Sequence, residues 1–275
     1  MKQIKFRIST LGMLVLSSFS FANPPPDINR NQTGFFVGLG GSYNTIQVNS
    51  NMEGTLNAIS GFPPNGVFSG TTGSYHNTQQ KFAPEGETGY FRQFSDSNWL
   101  WGIKLLYQYS RTNILTPGTY IELTEPVDNT TNRVNFSGIQ TKMSHELVVP
   151  AFIGHSLKNG FIYLGAGPSF FQIQHTLYNG SDTLSGYYIG DLGNLSNTKW
   201  LSGGAAQAGM AYYLCPTWFF NFNYTYATTG RYTLNNSASF APITTNGLNT
   251  GSVSFNNSQR LVAQSFSVSI NKVFS

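Results

Sequence analysis

The stretch Arg260–Phe274, RLVAQSFSVSINKVF, decides the fold. Val262, Phe266, Val268, Ile270 and Phe274 share one parity, while Ala263, Ser265, Ser267, Ser269 and Asn271 share the other. A β-strand sends alternate side chains to opposite faces, so this segment has one oily face and one small polar face. A single strand of this kind suits a soluble sheet equally well. The pattern gains weight because it recurs along the chain.

Upstream, Phe35, Val37, Leu39 and Tyr43 alternate with Phe36, Gly38, Gly40 and Ser42. Trp101, Ile103, Leu105, Tyr107 and Tyr109 alternate with Gly102, Lys104, Gln108 and Ser110, and Trp218, Phe220, Phe222, Tyr224 and Tyr226 with Asn221, Asn223 and Thr225. Less regular runs at about 82–94, 139–157, 161–173 and 199–214 bring the expected strands to eight. Ser95–Asn98, Lys158–Gly160 and Cys215–Thr217 read as tight turns. The stretches at about 49–80, 111–138, 174–198 and 228–258 read as four long loops rich in Gly, Asn, Thr and Ser. Short turns at one end and long loops at the other predict an eight-stranded antiparallel up-and-down transmembrane β-barrel. Hydrocarbon offers no partner to a sheet edge, so the first and last strands are expected to pair.

Composition agrees. Of 275 residues only 9% are charged, against about a quarter in ordinary soluble domains. Aromatics reach 15%, yet mean hydropathy is −0.18. No run approaches the ~18 apolar residues of a membrane helix. A soluble β-sandwich shares this composition but lacks the turn asymmetry. The N-terminus separates the two readings further. Lys2, Lys5 and Arg7 precede the apolar Leu11–Leu16 and then Ser20-Phe21-Ala22, which reads as a cleaved signal peptide over residues 1–22. Residues 23–33 form an extended periplasmic lead-in, and 34–275 form the barrel. Cleavage leaves twelve basic against eleven acidic residues, scattered singly, so nucleic acid is not an expected partner. Cys215, the sole cysteine, excludes an intramolecular disulfide and reads as a partly buried turn residue.

In GFFVGLGGSY at Gly34–Tyr43, WLWGIKLLYQY at Trp99–Tyr109, FIYLGAGPSF at Phe161–Phe170 and the final strand, the chain resembles the OmpA-like and opacity-type eight-stranded outer-membrane barrels. The resemblance spans essentially all of the mature chain. It implies a bacterial outer-membrane surface protein, lying among outer-membrane lipid and lipopolysaccharide and inserted by the barrel-assembly machinery. In that family a terminal strand ending in an aromatic is the insertion signal, and Phe266, Val268, Ile270 and Phe274 match it. Ser275 after the aromatic and Lys272 within the strand depart from the pattern.

Four charged residues fall on inward parity: Glu85, Glu87, Lys104 and Glu146. Closing the hairpin at Ser95–Asn98 puts Lys104 opposite Glu87 or one diagonal step away. A barrel of about eight strands has an interior that side chains fill, so this network is expected to plug it; an ion or proton path is the alternative. His76, His145, His155 and His175 are not arranged with a nucleophile and base, so no catalytic, cofactor or metal residues are assigned and no enzyme is expected. The expected role is structural or adhesive, through loops whose Phe62, Phe68, Tyr75, Tyr178, Tyr187 and Tyr188 would meet a host or cell-surface ligand. A narrow porin-like channel is the alternative, followed by a lipid A-modifying enzyme.

Overall fold

A computed structural model describes residues 33–60, 66–124, 131–184, 187–241, 243–244, 247–248 and 250–274. The signal peptide, most of the lead-in, Phe62 and Ser275 lie outside these, as do the side chains of Tyr187 and Tyr188. The described residues are all-β. In chain order the strands are β1 (Thr33–Ser60), β2 (Gly66–Thr71), β3 (Tyr75–Gln93), β4 (Trp99–Thr124), β5 (Thr131–Val148), β6 (Ala151–Leu157), β7 (Gly160–Leu184), β8 (Tyr187–Cys215), β9 (Trp218–Thr229), β10 (Tyr232–Phe240), β11 (Ile243–Thr244), β12 (Gly247–Leu248) and β13 (Thr250–Phe274). Eleven of them form one antiparallel sheet, and β11 pairs β12 separately.

The sheet closes on itself. β1 pairs β3, β3 pairs β4, β4 pairs β6 and β6 pairs β7; β7, β8, β9 and β13 follow in turn. β13 then returns to β1 over a register that runs from Phe35↔Phe274 to Ser60↔Thr250. First and last strands therefore seal the wall, as an edge facing hydrocarbon requires.

Two expectations need correction. The stretches 49–80, 111–138, 174–198 and 228–258, expected as loops, continue over most of their described length as paired strands. Their small polar residues alternate with buried apolar ones, and that period of two keeps the ladder going. The simple set of eight strands is also subdivided. Pro150 supplies no N–H to the ladder, so the expected strand 139–157 breaks into β5 and β6. The wall is carried across the break by Lys104 N–H to Pro150 O at 3.0 Å and Val149 N–H to Pro168 O at 2.9 Å. β9 similarly gives way to β10 at Gly230-Arg231, both laid against β13. In the upper wall β3 and β4 are joined by side chains, Asn77 Nδ2 to Thr116 Oγ1 and Lys81 Nζ to Arg111 O.

The faces of each long strand exchange chemistry part-way along. In β1, Phe35, Val37, Leu39 and Tyr43 point outward and exposed, Leu39 by 72%, over an interior of Gly38, Ser42 and Asn44. Beyond Asn44 the order inverts: Ile46, Val48, Met52 and Leu56 are buried inside, and Asn49, Glu53 and Asn57 face out. β13 does the same in reverse. Val253, Phe255 and Leu261 are buried, then Ser265, Ser267, Ser269 and Asn271 are, with Phe266, Val268, Ile270 and Phe274 exposed. Val262, expected on the outer face, is covered. Apolar-out over polar-in suits lipid; polar-out over apolar-in suits water.

Candidate functional site

The interior is stacked in layers. Nearest the short turns lies an aromatic floor that includes Phe36, Phe91, Phe161, Tyr163, Tyr213 and Phe219. A polar belt sits above it. An apolar layer with Ile46, Leu106, Met143, Phe171 and Leu261 follows, then a second polar layer around His175 and Asn257. A large apolar layer with Met52, Phe68, Ile121, Phe136, Leu177 and Phe255 fills the top.

The polar belt holds all four charged residues expected in the lumen, each at most 3% exposed. Lys104 is directly opposite Gly89, which leaves Glu87 on the diagonal, and Lys104 Nζ reaches Glu87 Oε2 at 3.1 Å. The pair has further partners. Asn221 Nδ2 donates to Glu87 Oε1 at 2.8 Å and Asn271 Nδ2 to the same oxygen at 2.8 Å, and Ser269 Oγ donates there as well. Lys104 Nζ also donates to Tyr163 Oη at 3.1 Å, which in turn donates to Asn221 Oδ1 at 2.9 Å. Two glycines make room for this. A methyl group on Gly38 would collide with the Asn271 amide, and one on Gly209 with the Tyr163 ring.

Glu85 and Glu146 stand apart from that cluster. Gln108 Nε2 donates to Glu85 Oε2 at 2.8 Å, whereas neither oxygen of Glu146 has a protein partner. Tyr163, Asn221, Ser269 and Asn271 complete the ion-pair cluster, but inward parity was the only trace of them in the sequence. Their meeting depends on how far each strand is staggered around the barrel.

Phe266, Val268, Ile270 and Phe274 form an exposed outer row on β13, and Lys272 Nζ lies 5.7 Å from the Trp218 ring centre and 5.4 Å from that of Phe274. His145 stacks outward against Tyr107 and Trp200, His155 lies edge-on to Trp99, and His76 contacts Asn49. The contact aromatics expected in the loops are structural where described. Phe68 is fully buried, Tyr75 Oη accepts from Asn257, and Tyr178 Oη donates to Gln140 at 2.7 Å. Tyr120 is instead an upper aromatic that faces out, with the Arg133 guanidinium 4.4 Å from its ring centre. A recess of about 590 Å³ opens on the outer wall, lined by Gly204, Thr228, Gly230, Arg231 and Arg260 among others, not in the lumen.

The exterior decides the setting. Leu39, Ile103, Leu105, Ile153, Leu164 and Ile270 form an exposed apolar belt around the closed wall, with Trp99, Trp101 and Trp218 toward the short turns and Tyr43, Tyr107 and Tyr226 at its other margin. Such a belt between aromatic girdles on a closed barrel is the lipid-facing surface of an outer-membrane protein. This chain is an outer-membrane β-barrel. No protein-family model matches its sequence, and no curated protein matches either. Among solved structures it is similar to the outer membrane protein OprG from Pseudomonas aeruginosa, at 12% identity over 89% of this chain and 98% of that one, with a TM-score of 0.40. It is also similar to Ail, the attachment invasion locus protein of Yersinia pestis (12% identity, 80% and 98% covered, TM-score 0.27). The outer membrane protease OmpT of Escherichia coli is another such structure (9% identity, 86% and 97% covered, TM-score 0.33).

Proposed function

We propose that this barrel is a surface-exposed structural or interaction protein, an eight-stave wall of the OmpA-like and opacity type that raises a water-facing rim above the membrane. The reading rests on the inversion of faces along β1 and β13. A membrane crossing takes roughly 9–11 strand residues, whereas β1 has 28. At about 3.3 Å per residue and with ordinary strand tilt, the surplus carries the wall on the order of 40 Å past the membrane. The outward polar residues of that rim, with Tyr120 and Arg133 among them, are the surface offered to a host or cell-surface ligand. Outer-membrane lipid and lipopolysaccharide surround the belt, and the terminal row ending in Phe274 is what the assembly machinery reads. The apolar layers above and below the charged belt favour this role over a channel. The scattered placement of His76, His145 and His155 favours it over catalysis.

Labelling intact cells with a membrane-impermeant maleimide tests the topology. Asn256→Cys, on the outer face of upper β13, is expected to react, and native Cys215 at the short-turn end is not. Labelling of Cys215 without labelling at position 256 would invert the barrel and end the proposal.

A further inference from the structure

Glu85, Gln108 and Glu146 face one another across three adjacent strands. Gln108 on β4 pairs with Glu85 of β3 on one side and with Glu146 of β5 on the other. All three are buried, Glu146 at 1% exposure. Glu85 has the Gln108 amide and the Ser267 hydroxyl beside it, whereas Gln108 Oε1 and both oxygens of Glu146 have no protein partner. Lys104 does not serve them, since its ammonium is directed to Glu87 and Tyr163.

A buried acceptor without a donor is costly, and more so when it carries charge. Three such oxygens in one row call for a proton on Glu146 or for one shared positive partner, and two carboxylates flanking one amide favour the shared partner. We propose that Glu85, Gln108 and Glu146 form a binding site for one hard divalent cation of the calcium type. Carboxylate and amide oxygens are the ligands such a cation takes, and two carboxylates balance its charge. Strands spaced about 4.8 Å apart put the outer two backbones roughly 10 Å apart, a span that two glutamate side chains close from either side of Gln108. The ion would tie β3, β4 and β5 together beside the break at Pro150. It would be enclosed as the barrel closes, because apolar layers seal the belt at both faces.

The test is a metal count on full-length barrel refolded in detergent with calcium chloride and then dialysed free of it. Wild type is expected to retain about one calcium per chain, and Glu146→Gln and Gln108→Leu less than about a tenth of that. Refolding in calcium rather than EGTA should raise the wild-type melting midpoint by roughly 5–10 °C at a hundredfold excess over Kd. Should Glu146→Gln not fold, the wild-type count and Gln108→Leu still decide. Wild type without bound metal, or variants that retain as much as wild type, would overturn the site.

Discussion

Asn271 on β13 donates from Nδ2 to Glu87 Oε1 on β3 at 2.8 Å, although the two strands do not pair: β1 runs between them. The bridge passes over Gly38, the β1 residue paired with both Glu87 and Asn271. Beyond its backbone ladders to β1 and β9, the closing strand is thus tied to β3 by side chains that pass over β1. The Glu87–Lys104 pair is where these ties converge.

Breaking that pair leaves a charge buried without its partner, which typically costs about 3–5 kcal/mol. Lys104→Met and Glu87→Gln are each expected to destabilise the barrel by that order in urea titrations followed by gel mobility. The double variant should cost less than the sum by at least about 1 kcal/mol, since the second change removes the stranded charge. Additive costs would show that the two residues act separately.

Among the described residues, apolar side chains fill the lumen at three levels. Purified barrel in planar bilayers is expected to show no steady unitary conductance, and Lys104→Ala should not create one, because the aromatic floor stays in place. A stable open level in wild type would contradict the layered packing.

The membrane half was legible from the sequence because each of its strands carries large apolar residues on one parity and Gly, Ser or Asn on the other. Beyond it the signal was present but disguised. Met52, Leu56, Val253 and Phe255 keep the period of two, yet Asn, Ser, Thr and Gly between them have the composition of loops. The faces also swap at the membrane margin, so a search for continued apolar-out alternation stops there. Parity alone placed Glu85, Glu87, Lys104 and Glu146 inside. Which of them meet was not readable beyond the neighbouring Lys104–Glu87 diagonal, because contacts such as Glu87–Asn271 depend on barrel stagger.

The outer row on β13 ends with Phe274 at 51% exposure beside Lys272, whose ammonium lies over both Trp218 and Phe274. Phe274 is exposed at the belt margin, where its ring would meet lipid while the Lys272 stem reaches toward the interface. Phe274→Ala is expected to lower the folded fraction recovered from outer membranes severalfold. Lys272→Ala should cost no more than about 1 kcal/mol, the worth of an exposed cation–π contact. Equal recovery of Phe274→Ala and wild type would remove this residue from the insertion signal.

His175 lies in the upper polar layer, above the outer girdle, with its ring nitrogens beside the amides of Asn236 and Asn257. Burial disfavours the imidazolium and lowers its pKa from 6.5 to about 4. In the unfolded chain the same histidine takes up a proton near pH 6.5, so the unfolded state binds more protons as pH falls. The stability contributed by the neutral ring is present above pH 6.5 and is lost as pH falls toward 4, by a total of about 3 kcal/mol. Below that both states are protonated and the loss levels off. Urea midpoints measured between pH 7.5 and 4 should fall for wild type and fall less for His175→Gln, which retains hydrogen-bonding capacity without titrating. Parallel slopes for the two proteins would show that carboxylates elsewhere, not this ring, govern acid stability.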